Sequence, residues 1–218
     1  MNDGAESSRF PPEPEGRDRV DWLVHHTPAM ALGAARQLVN PWYKTQALAS
    51  ATRAQRDEPS RLAVLEEAFT TALGAEDGYR QVGCAVWPLA VAVNLGMHDY
   101  ARVVLSRPGG LVAQLDGVTP DASLCYVLDM LIDATLPLGR DVYRPLALRL
   151  AAKAIDMEVH RRHWRGGHML RSTIDLLRHF DPALAEELCG LHPDERKRAG
   201  LRNRMLLDRA PYRFFADQ

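Results

Sequence analysis

The sequence predicts an all-α fold, a stack of about nine or ten helices arranged as antiparallel pairs. Three observations carry that prediction. Capping side chains stand directly before prolines at Thr27-Pro28, Asn40-Pro41, Thr119-Pro120 and Asp181-Pro182. At such a start the cap accepts a free N–H, and the proline sits where its own missing N–H costs nothing. Leu62, Leu65, Ala68, Phe69 and Leu73 recur at helical spacing. No run of four or more residues alternates apolar and polar with β-branched side chains, so no sheet is expected.

In chain order, residues 1–17 are rich in Pro, Glu, Ser and Gly and read as a flexible tail, leaving 18–218 as a single helical-repeat domain. Past Asp18 the pattern is helical. Helices are expected over 28–39, over 41–55, and from Glu58-Pro59 to Gly74. Asp77 to Leu95 is the most apolar stretch, and Pro88 should kink it or divide it in two. A shorter helix, 98–106, ends before Pro108-Gly109-Gly110. The rest divides into 120–134, 141–155, a long helix 158–180, then 182–189 and 193–209. Turns this short imply antiparallel neighbours.

Composition bounds the partners. With 46% hydrophobic and 25% charged residues, 218 residues suffice for a sizeable core. A net charge of -1 gives no global pull toward nucleic acid or an anionic membrane. The cations are nearly all Arg, with Lys only at 44, 153 and 197. Such a bias follows from a GC-rich genome, and it also suits bidentate recognition of phosphate or carboxylate. Cys84, Cys125 and Cys189 form no C-x-x-C pair, so they read as packed thiols in a reducing cytoplasm. Neither a secretory signal nor a spanning segment is visible.

An aromatic-basic pair opens several helices: Tyr43-Lys44 behind Trp42, Tyr79-Arg80, Tyr143-Arg144 and Trp164-Arg165. The first interval is 36 residues, the second 64, close to two such units, and the third only 21. Over roughly residues 27–190 the chain resembles the α-solenoid superfamily of HEAT-like and tetratricopeptide-like repeats. The tetratricopeptide pattern W-x-x-L-G-x-x-Y is absent as written. The resemblance implies a short α-solenoid whose concave face binds a protein or peptide, and it implies no catalysis.

Three residue sets are candidates for function. Lys44, Arg80, Arg144 and Arg165 would line a basic stripe facing an acidic protein partner, and Arg161, Arg162 and Arg165 could together grip phosphate or carboxylate groups. The bland reading has the aromatics packing between helix pairs, Trp164 among them, with the charges snorkelling outward. A metal alternative uses His160 and His163, one turn apart on the long helix, with Asp156 a turn below. The crowd of Arg around them opposes a cation. A nucleic-acid alternative uses Arg196, Arg198, Arg202 and Arg204 on a basic last helix, which could equally be a polar solenoid cap. Phosphate-loop, dinucleotide, zincin and nucleophile-elbow motifs do not occur, so neither an enzyme nor a cofactor is expected. The expected function is a non-catalytic protein-binding module, in one version a toxin-neutralising immunity-type protein of bacterial antagonism systems.

Overall fold

The computed structural model describes residues 13–119, 121–161, 163–207 and 210–215. Among them every regular element is helical, and the chain divides into two compact units, 1–75 and 76–218. The sequence alone read 18–218 as one domain. No helix among the described residues is long and apolar enough to cross a membrane.

The first unit holds α1 (Glu13–His26), α2 (Pro28–Gln37), α3 (Pro41–Thr52) and α4 (Glu58–Leu73). α1 packs on α2 and α3, and α3 on α4. Small side chains allow this: Ala31, Ala35, Ala47, Ala51 and Ala68 are fully buried around Val20, Leu23 and Leu48. Residues 13–17, expected as tail, are the first turn of α1, while 1–12 lie outside the described residues. Their order has a tertiary cause. The Glu13 carboxylate accepts the N–H groups of Val39 at 3.1 Å and Asn40 at 3.3 Å, so it caps the turn into α3. Asn40 in turn accepts the Trp42 N–H at 2.9 Å. Thr27 makes no such side-chain bond.

The second unit holds α5 (Gly78–Asn94), α6 (His98–Ser106), α7 (Leu111–Gln114), α8 (Ala122–Thr135), α9 (Arg140–Val159), α10 (Trp164–Phe180), α11 (Pro182–Gly190) and α12 (Glu195–Met205). α8 is its centre, packing on α5, α9 and α10. Pro88 lies inside α5, which remains one helix rather than dividing. Pro120 is outside the described residues, and the side chain that caps α8 is Asp121, which accepts the Ser123 N–H at 2.7 Å.

The long helix expected over 158–180 does not form; α9 ends at Val159 and α10 starts at Trp164. The reason is the close crossing of the two helices. A Cβ on Gly166 would collide with the Ala154 carbonyl oxygen, and one on Gly167 would stand 2.5 Å from Glu158 Oε2. Gly166 and Gly167 therefore let the chain reverse and press α10 onto the end of α9.

After α12 the segment Pro211–Phe215 returns to α8. Buried Asp133 accepts Arg213 Nε at 2.5 Å and the N–H groups of Phe214 at 2.7 Å and Phe215 at 3.2 Å. Phe215 meets Trp87 edge-on at 5.3 Å between ring centres, and Phe214 meets Tyr126 at 5.5 Å. One turn back on α8, Asp129 is buried and accepts the hydroxyls of Thr173 at 2.7 Å and Ser172 at 3.1 Å. Burial pushes its carboxyl up to about 6, against those two hydrogen bonds.

Candidate functional site

The residues singled out from sequence are mostly committed to partners within the fold. Arg80 pairs with Glu76 and lies 3.5 Å from Asp77 at the start of α5. Arg144 holds Glu187 at 2.5 Å, beside Arg140 on Asp181 at 3.1 Å, and together they tie α9 to α11. Lys44 is half-buried on α3, in the other unit. Arg161 stands 3.7 Å from Asp156, Arg162 lies outside the described residues, and Arg165 lies over the Trp164 ring at 5.6 Å. Trp164 is 69% exposed rather than packed between helices.

The metal arrangement assumed a helix through 160–163, and that helix is broken. His160 ends α9, whereas His163 caps α10, its Nδ1 accepting the Arg165 N–H at 3.3 Å. Asp156 is held by Lys153 at 3.1 Å, and that bond keeps its carboxyl below the usual range despite some desolvation. Among the described residues no group of three His, Cys, Asp or Glu side chains is placed to hold a metal ion.

The expected ring of arginines on α12 is also largely spent. Arg198 donates to the carbonyls of His192 and Pro193 at 2.8 and 2.9 Å, closing the turn before the helix. Arg202 pairs with Glu186 at 2.6 Å, and Arg204 with the buried carboxylate of Asp175. Arg196 alone of the four has neither an ionic partner nor a side-chain hydrogen bond among the described residues.

Among the concave features of the described residues, two larger ones in the second unit stand apart from a third of about 230 Å³ beside Tyr79, Tyr126 and Arg165. The first is an apolar groove of about 590 Å³ between α6, the α7 turn and α9. Leu105 and Leu146 are its buried floor, and Val112, 41% exposed, stands on its wall with Val142 and Pro145. Two ion pairs brace it: Arg102 to Asp141 at 2.7 Å, and Arg149 to Asp116 at 2.9 Å. The Arg102 bond holds the Asp141 carboxyl below its ordinary range.

The second is a cavity of about 310 Å³ where the end of α9, α10 and α12 meet. Its ionisable lining is Glu158, Arg171, His192, Arg196, Lys197 and Arg204. Asp194 positions two of these by capping α12, accepting the N–H groups of Arg196 at 2.8 Å and Lys197 at 3.3 Å. Those bonds, the Lys197 one foremost, hold its carboxyl low. His192 is only 2% exposed, and its Nδ1 accepts the Asp194 N–H at 3.1 Å.

Sequence reasoning missed Arg171 and His192. Arg171 carried no motif, but it lies four residues beyond Gly167, on the α10 face that crosses α9. His192-Pro193-Asp194 was a legible turn with a cap, and a histidine inside such a turn was the available signal.

Comparison with family models, characterised proteins and solved structures found no match.

Proposed function

We propose that this chain is a non-catalytic protein-binding module, its second unit a short α-solenoid-like run, which takes an apolar segment of a protein partner into the α6–α7–α9 groove. The observation that carries this reading is the groove itself, whose size and apolar lining fall in the range of ligand-holding clefts. Its charges say what suits it. Of the three arginines on its lining, Arg102 and Arg149 are each paired with a carboxylate of the chain, so at those positions a partner segment gains more by burying apolar side chains than by bringing charge. The same two ion pairs link α9 to α6 and to the turn after α7.

The test places a photo-crosslinking residue at Val112 in cells that make the chain natively, with Glu195 as the control position. One dominant protein adduct from position 112, removed by Pro145→Asp and absent at 195, is the expected result. The same adducts at both positions, or none at 112, refute it.

A further inference from the structure

We infer that the cavity between α9, α10 and α12 is a binding site for a phosphate group carrying one proton. Its lining holds more hydrogen-bond donors than acceptors. Lys197 is satisfied by Glu158 Oε1 at 2.6 Å, and Arg204 by Asp175. Four donor groups are left over. Arg171 and Arg196 have no acceptor among the described residues, and the buried Arg204 Nε has none either. The fourth is His192. Since its Nδ1 accepts a backbone N–H, the neutral ring carries its hydrogen on Nε2, a buried atom without a hydrogen-bond partner. The nearest carboxylate oxygen, Glu158 Oε2, is 3.7 Å away, too far to accept it.

Arg204 Nε and His192 Nε2 are buried, where a donor without an acceptor is costly, while half-buried Arg171 and exposed Arg196 add cationic donors, so the lining suits an acceptor-rich ligand. With His192 neutral the wall carries four cations and one carboxylate, which selects an anion. The donor residues come from α10, from α12 and from the turn between α11 and α12, so three parts of the fold line the space. A planar carboxylate offers two oxygens in one plane, whereas a phosphate offers oxygens in three dimensions.

Glu158 then supplies selectivity. Its Oε2 is an acceptor on a wall of donors, and the P–OH of a monoprotonated phosphate can meet it. Sulfate has no such hydrogen near neutral pH and would face the carboxylate unscreened. Gly167 keeps Glu158 in place, since any side chain there would push the carboxylate aside.

Calorimetric titration of the full chain at constant ionic strength and pH 6.5 tests this, using inorganic phosphate, O-phosphoserine, sulfate and acetate. One-to-one saturable binding of phosphate or phosphoserine is expected, the tighter of the two naming the free ion or a phosphorylated partner as the source. Sulfate and acetate should bind about tenfold weaker or worse, as the loss of one charge-assisted hydrogen bond implies. Arg171→Gln, or Arg196→Gln should the former not fold, weakens phosphate by a similar factor, while Arg36→Gln in the first unit does not. Glu158→Gln narrows the gap between phosphate and sulfate. Absence of saturable phosphate binding overturns the inference, as does acetate or sulfate binding equally well, or an unaffected Arg171→Gln. Tighter, steeply salt-dependent binding of a single-stranded oligonucleotide also overturns it, because that is the behaviour of an extended polyanion surface.

Discussion

Asp129→Asn isolates the energetic cost of a carboxylate in the centre of the second unit. In the folded chain the Asp129 carboxyl rises from 3.8 to about 6, chiefly through burial. A rise of about two units corresponds to about 3 kcal/mol of linkage. The folded value lies above the unfolded one, so the folded state keeps its proton longer. That contribution is complete below about pH 4, is lost as pH rises through about 6, and is level above it. Asparagine cannot ionise; its one carbonyl oxygen still accepts the Thr173 hydroxyl, and its NH2 replaces the oxygen that accepted from Ser172, whose hydroxyl can turn to accept instead. Urea unfolding of both proteins from pH 4 to pH 8 gives the difference in stability at each pH. The variant should gain on the wild type by up to about 3 kcal/mol between pH 4 and pH 7 and no further beyond. A flat difference, or a variant that loses ground as pH rises, refutes a destabilising buried ionisation at this position.

Other outcomes follow from features of the same unit. Gly166→Ala should lower stability more than Gly167→Ala, by about 2 kcal/mol against about 1 in thermal melts, because the first meets backbone and the second a movable Glu158 side chain. Asp133→Ala should cost about 3 kcal/mol or more and speed amide exchange at Phe214 and Phe215, read by hydrogen exchange. Burial pushes the Cys84, Cys125 and Cys189 thiols up to about 12, 11 and 11, so a thiol reagent at pH 8 should label them only on unfolding.

Local chemistry was the legible part of this sequence. Asn40-Pro41 announced a capped helix, and the bond to Trp42 is its physical content. Asp181-Pro182 did the same through Leu184. What sequence could not convey was tertiary. Gly166-Gly167 reads as a weak point in a helix until Ala154 and Glu158 are known to press against it. The basic residues were visible, but their committal to Glu187, Glu186 and Asp175 depends on which helices meet. The cavity draws Glu158, Arg171, His192 and Arg196 from three helices and a turn, so no local pattern could contain it. Asp129 and Asp133, four apart in an otherwise apolar helix, were a signal in plain view.

The bonds from Asp133 to Arg213, Phe214 and Phe215 join residues 80 to 82 positions apart, whereas most helices of that unit touch near neighbours in the chain. A stack of neighbours alone can peel open one helix at a time, each step losing a single interface. Fastening the far end back to the central helix turns that ladder into a closed circuit, whose ends separate only after the Asp133 clasp is undone. Closing so long a circuit carries a chain-entropy cost that grows only slowly with length. The clasp thus adds resistance to fraying at a modest kinetic cost, and helices α9 to α12 should open together rather than in succession.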